Sequence, residues 1–376
     1  MKVRFALGAA LAAALALAAS ATAGTAKHDG LLRVTAAGEG TLKAVAWEGY
    51  GEPAWVKGYT AQTGCKTSFK YAGSSDEMVT AMRSGGGYDV VSASGDASNR
   101  LIASKLVAPI DISQIPDWKH FLGALKSPPN NTVGGKHYGV SWLWGPNVLV
   151  WNPAKFPTAP TSWSTIYAKA NSGKITVPDN PIQIADAALY LSKTKPSLGI
   201  KDPYELTSDQ LKAAVDLLKG QRPLVKKYWV LASDEIAAFT NGGVTIGAAW
   251  PLVPATLISH GVKVESTIPK EGATGWADTW MVSSKAPHPN CAMLWLKYTS
   301  QPKVQAMAAK FNTYTPANSA SCAILGKLCT PLHADADAKY FSQIKFWKTP
   351  ISDCGNGKTD CMSYNAWQQA WTQIKG

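Results

Sequence analysis

The sequence predicts an α/β chain built as two lobes, with the polypeptide crossing between them. Three observations carry that expectation. Residues 41–91 alternate strand, helix, strand, helix, strand, the order of parallel β-α-β units. Residues 161–250 run through a second succession of helices and strands. Between them, residues 137–151 form one long extended run, broken at Gly145-Pro146, which suits a crossover between lobes. A chain of 376 residues supplies enough material for two cores.

Taken in order, Thr41-Leu-Lys-Ala-Val-Ala46 is a first strand. Residues 52–63 follow as a helix that Gly64 ends, and residues 66–71 alternate as a second strand. Ser74-Ser-Asp-Glu77 opens a helix with a capping serine and acids in its first turn. That helix runs to Arg83 and stops at Gly85-Gly-Gly87, and Tyr88-Asp-Val-Val91 is a short buried strand. After the crossover, Thr161-Ser-Trp163 caps a helix, residues 174–177 form a strand and residues 184–193 a helix. Residues 208–220 set Leu211, Val215 and Leu218 on one helical face. A helix over 234–241 and a buried strand over 244–250 come next. A second crossover is expected at 280–283, helices at 290–298 and 301–310, and a loop-rich tail.

The composition narrows the function classes. Hydrophobic residues make up 46% and charged residues 16%, which excludes a disordered chain. The formal charge of +12 comes from scattered lysines without an arginine stripe, so it reads as solubility and not as a nucleic-acid surface. Its field repels cations at long range, so any cation site must rest on local carboxylates. Met1-Lys-Val-Arg4, an apolar run to Ala19 and Ala21-Thr-Ala23 compose a secretory signal peptide over 1–23. The first cysteine is Cys65, so no lipid-attachment cysteine stands at the cleavage site, and the mature chain is expected free in the periplasm. Losing Lys2 and Arg4 leaves +10 (12 − 2).

Six cysteines in an exported chain read as disulfides. Connectivity is formally open. The short spacings of Cys322 to Cys329 and Cys354 to Cys361 favour two local staples, which leaves Cys65 to pair with Cys291. No metal or other cofactor is expected, because there is no C-x-x-C pair and the histidines lack ligand spacing.

The most informative stretch is 269–280, where Asp278 stands between Trp276 and Trp280 in a strand-like run after a glycine-bearing turn. Such a carboxylate can take the charge of an organic ammonium while indole faces cover its methylenes. Glu271, in the turn, reads as solvated. Most of the fifteen tryptophans must be core. Trp118, Trp163, Trp295, Trp367 and Trp371 read as packing, whereas Trp142 and Trp144 on the crossover are candidates to face a cleft. No G-x-S-x-G elbow, P-loop or H-E-x-x-H occurs, which argues against a secreted enzyme. The absence of a Tyr-Tyr pair argues against a ferric-ion binder.

Six segments in order carry a family resemblance. They are Trp47-Glu-Gly-Tyr50, Tyr88-Asp-Val-Val-Ser-Ala-Ser94, Tyr138-Gly-Val-Ser-Trp-Leu-Trp-Gly145, Thr161-Ser-Trp163, Val244-Thr-Ile-Gly-Ala-Ala-Trp250 and Pro269 to Asp278. Over nearly the whole mature chain they resemble the substrate-binding proteins of ABC importers, specifically the spermidine/putrescine-binding group. The resemblance implies a two-lobed periplasmic binding protein (type II), with discontinuous lobes joined by crossover strands. It implies a first lobe from 36–147 and 282–320, a second from 148–281, and a disulfide-stapled segment, 321–376, packing on both. It further implies a monomer that closes on a polyamine and delivers it to an inner-membrane ABC permease. By position, the ligand site would comprise Trp47, Glu48, Tyr50, Ser94, Asp96, Trp250, Trp276 and Asp278. Where polyamine binders carry an acidic pair three residues apart, this chain has Asn180 and Gln183, with Asp179 one position early. A neutral pair balances a second ammonium poorly. The alternative ligand is an ω-amino acid such as γ-aminobutyrate, with Arg222 as the candidate partner of its carboxylate.

Overall fold

The computed structural model describes residues 30–335, 337–354 and 359–376. The expected signal peptide lies outside the described residues. No helix among the described residues is long and apolar enough to cross a membrane.

The strands in chain order are β1 (Thr41–Ala46), β2 (Lys66–Tyr71), β3 (Val90–Ala93), β4 (Thr132–Val133) and β5 (Lys136–His137). They continue with β6 (Gly139–Pro146), β7 (Val148–Trp151), β8 (Ile175–Pro178), β9 (Val225–Trp229) and β10 (Ile246–Ala249). The last four are β11 (Glu265–Thr267), β12 (Ala273–Val282), β13 (Thr315–Pro316) and β14 (Ile344–Phe346). Two sheets result, one per lobe. The first has the order β13-β6-β12-β3-β1-β2, with β14 also paired to β12. The second has the order β11-β7-β10-β8-β9, and β4 with β5 forms a small hairpin.

Local chemistry explains most of the elements. Helix Pro53–Thr63 starts with proline in its first turn and ends at Gly64, which takes the left-handed conformation. Helix Ser75–Arg83 is capped by Ser74, whose hydroxyl accepts the Glu77 N–H at 3.2 Å. β3, β6, β7, β8 and β10 are buried along their whole length, as expected of strands covered on both faces. The chain leaves the first sheet at Asn147, between β6 and β7, one residue beyond the expected break.

The return crossing differs from expectation. β12 begins at Ala273 and pairs with β6, β3 and β14, so it belongs to the first sheet along its whole length. The crossing therefore lies between β11 and β12, and residues 280–283 are deep in the first lobe. The alternation of 273–282 is that of a strand, but only pairing tells which sheet receives it. The tail also differs from a loop. β14 joins the first sheet, and helix Tyr364–Lys375 packs against helix Ser208–Gln221 of the second lobe, so the tail is in contact with both lobes. The Thr161-Ser-Trp163 cap opens a 3-10 turn, Trp163–Tyr167. There Glu271 is buried and accepts from the Ser162 hydroxyl at 2.6 Å and the Trp163 N–H at 3.2 Å, so it is not solvated.

Disulfides join Cys65 to Cys291, Cys322 to Cys329 and Cys354 to Cys361. The first spans 226 residues and ties the loop before β2 to helix Pro289–Thr299.

Candidate functional site

A narrow cavity of about 10 Å³ lies between the lobes, walled by Trp47, Tyr50, Ser94, Trp250, Trp276, Asp278, Tyr314 and Trp347. It sits at the C-terminal ends of β1, β3 and β10, where α/β sheets place ligand groups.

Asp278 is the centre of the wall and is 1% exposed. Its register on β12 is irregular: Ala277 pairs with Trp144 and Thr279 with Ser141, so Trp142 and Leu143 together oppose Asp278 alone. A bulge of this kind re-aims a side chain. The carboxylate accepts from the Tyr50 hydroxyl at 2.5 Å and the Ser94 hydroxyl at 2.5 Å. Burial pushes its pKa up to about 7, against the opposing pull of the Ser94 and Tyr50 donors; the nearby Asp96 charge also raises it. The Trp47 indole N–H favours the charged form but makes no regular hydrogen bond.

The two hydroxyl donors come from the first lobe's loops. Tyr50 closes a turn after β1, with its N–H on the Trp47 carbonyl at 3.3 Å. That turn needs Gly49, which has φ of +87° and whose carbonyl accepts from Asn312 at 3.1 Å. Ser94 precedes helix Gly95–Ala103 but makes no side-chain cap, because its hydroxyl is given to Asp278. A Cβ on Gly95 would stand 1.9 Å from the Trp347 carbonyl oxygen, so only glycine lets the tail approach here.

The remaining wall is aromatic and comes from both lobes. Trp250, after β10, lies 5.5 Å from Trp47, 6.0 Å from Trp276 and 4.7 Å from Trp229 between ring centres. Trp276 lies 5.1 Å from Tyr314 and 6.0 Å from Trp347, and Trp347 lies 6.5 Å from Trp47. Tyr314 and Trp347 were not anticipated. Trp347 follows the alternating Ile344-Lys-Phe346, a short strand signal within a segment read as loop; nothing local marks Tyr314.

Other expected site residues do not line this cavity. Glu48 accepts the Ser233 N–H at 2.9 Å, at the start of helix Ala232–Thr240 in the second lobe, and so bridges the lobes. Asp96 is turned beneath the wall, where it accepts from the Ser75 hydroxyl at 2.9 Å and burial pushes its pKa up to about 6. The Asn180 side chain accepts the Ile182 N–H at 3.1 Å in a local turn. Gln183 donates to Asp186 at 2.6 Å. Asp179 bonds Trp371 and Lys375, and Arg222 bonds the Lys375 carbonyl while lying over the Tyr228 ring. Trp280 is core, 5.3 Å from Trp295, although it shares a strand face with Trp276 and Asp278. Trp142 packs on Tyr50, Trp55 and Trp280, and Trp144 on Tyr340, Phe341 and Phe346, so neither faces the cavity.

The comparisons agree with this architecture. The model of the bacterial extracellular solute-binding protein family matches residues 54–326. The putrescine-binding periplasmic protein SpuD of Pseudomonas aeruginosa is 26% identical over 310 residues, covering 78% of this chain and 82% of its own. Among solved structures, a putative spermidine/putrescine ABC transporter from Listeria monocytogenes superposes with a TM-score of 0.75 at 20% identity, covering 89% of this chain and 99% of its own. The Atu4243 GABA receptor superposes at 0.62 with 17% identity, covering 89% and 95%. At these identities the structural likenesses show the two-lobed fold. The family match, spanning well over half of the chain, shows more: the chain belongs to the bacterial extracellular solute-binding protein family.

Proposed function

We propose that this chain is the solute-binding component of an ABC importer and captures an amine of the putrescine/spermidine type in the periplasm. One observation carries the ligand reading: a fully buried carboxylate, Asp278, is enclosed by four indoles and two phenols. The carboxylate supplies the counter-charge for an ammonium, and the rings supply cation–π attraction and apolar cover, each contact worth roughly 0.5–2 kcal/mol. The names of the curated relatives support the same class. Secretion through residues 1–23, action as a monomer and delivery to an inner-membrane permease complete the reading.

Binding would proceed by closure. The wall draws Trp47, Tyr50, Ser94, Trp276 and Asp278 from the first lobe and Trp250 from the second, so the ligand touches a complete site only when the lobes meet. A ligand shifts that equilibrium by its differential affinity for the closed form. Outside the cavity the closed form is held by Glu48 on Ser233 and by Val230 resting against Gly73.

The ω-amino acid reading needs a cation in the wall. None of the eight wall residues is cationic, and Arg222 is held elsewhere. A thermal-shift screen of the mature, ligand-stripped protein against putrescine, cadaverine, spermidine, γ-aminobutyrate and ferric citrate tests the proposal. Stabilisation by the amines supports it; stabilisation by γ-aminobutyrate or ferric citrate alone would overturn it.

A further inference from the structure

Among the described residues the cavity wall contains one carboxylate, and the neighbouring acids lie outside it. Glu48 is bonded across the lobes to Ser233, and Asp96 to Ser75. Asp179 is paired with Lys375 at 2.8 Å. Asp186 accepts from Asn147, Thr274 and Gln183 behind the wall. Glu235 is fully buried within the second lobe and is not part of the wall. The positions that could have added anionic charge hold Asn180 and Gln183, both engaged in local bonds.

This matters for any ligand with two charges. A second ammonium drawn into the cavity would lose its water against indole and phenol rings with no anion beside it. Burying an unpaired charge is strongly unfavourable, because it gives up hydration with no counter-charge in return. Cation–π attraction to the rings does not offset that, and the rings around Asp278 are already engaged by the first ammonium.

We infer that the site reads a single ammonium, and that its substrate class is the amine held by one end, with the rest of the molecule recognised as uncharged chain. The inference rests on the amine reading proposed above and narrows it. A diamine then binds through one terminus with its second ammonium kept toward water at the cleft mouth, and a monoamine or a mono-acylated diamine of the same length is an equal ligand.

The test is calorimetric titration of the full mature chain with n-butylamine, putrescine and N-acetylputrescine at one pH and ionic strength. The expected result is affinities within about threefold of one another, a twofold factor for putrescine coming from its two equivalent ends. Putrescine binding more than about tenfold tighter than n-butylamine would overturn one-ended recognition while leaving amine capture intact. In that case Asp186→Asn identifies the second anionic contact if it abolishes the preference. Failure of all three amines to bind a chain shown by circular dichroism to be folded would overturn the amine reading itself.

Discussion

Two carboxylates meet on the same strand, Asp278 fully buried and Asp186 half-buried, and they do different things. Asp278 sits on β12 opposite the bulge of β6 and faces an aromatic cavity; Asp186, on helix Gln183–Thr194, reaches the start of β12 from the second lobe. Burial pushes both pKa values up to about 7. Their neighbours separate them. Asp186 accepts from Asn147 on the first crossover at 3.4 Å, from Thr274 just past the second, and from Gln183 at 2.6 Å. Its bonds run to Asn147 and Thr274, which lie where the chain passes between the lobes, and to Gln183 on its own helix. Asp278 accepts two hydroxyls and borders a small cavity lined with rings. A perturbed carboxyl alone does not mark a binding site; the cavity and the type of wall do.

Substitutions at the two residues should have opposite consequences. The largest effect is expected from Asp278→Asn, which should weaken amine binding by at least about 100-fold, since removing one partner of a buried charge pair costs about 3–5 kcal/mol. The melting temperature of the ligand-free protein should stay level or rise, because a buried charge has been removed. Equal affinity in the variant, measured by calorimetry, would take Asp278 out of the site.

Asp186→Ala should show the opposite pattern. It leaves the donors of Asn147, Thr274 and Gln183 without their shared acceptor, at a cost of about 2–4 kcal/mol. Denaturant unfolding should report that loss, while affinity per folded molecule stays within about threefold. A large affinity loss with unchanged stability would mean that Asp186 touches ligand.

A pH series sharpens the contrast further. The folded pKa values of Asp278 and Asp186 lie above the unfolded value of about 3.9, so the native chain holds protons that the unfolded chain releases. Their contribution to stability is full below about pH 4 and is lost as pH rises through about 7. Amine binding runs the other way, because it needs ionised Asp278. Affinity should fall by about tenfold per unit below pH 7, and binding at neutral pH should release protons, visible as a buffer-dependent binding enthalpy. A flat affinity between pH 5 and about 8 would contradict this.

The smallest effect is expected at the cleft mouth. Glu48→Ala removes the bond to Ser233 and should weaken binding by about 3–10-fold, equally for every amine and chiefly through faster dissociation. A change in the ranking of amines would show that Glu48 contacts ligand instead of holding the lobes together.

Much of the fold was legible because its signals are local. Alternation in β2, the Ser74 cap and Gly64 at a helix end act within a few residues, and each was readable in place. The pair Trp276 and Asp278 was legible for the same reason, as was its suitability for an ammonium. The fate of Glu48, Asp96, Asn180 and Gln183 was not. Each had a competing partner: Ser233 in the other lobe, Ser75 on a neighbouring helix, and the nearby Ile182 and Asp186. Which partner wins is set by distances that sequence spacing does not encode.

Residue order alone thus determined the α/β class, the strand and helix succession and the chemistry of a carboxylate among indoles, because these depend on periodicity, capping and residue type. Folding in three dimensions decided that Trp280 is core while Trp276 is wall, that Tyr314 and Trp347 complete the cage, and that one carboxylate faces the cavity alone. Those outcomes depend on pairing register, on a β6 bulge at Trp142 and Leu143 opposite Asp278, and on a tail strand added to β12 from far along the chain. Long-range pairing brings together residues whose separation in sequence carries no mark of their contact.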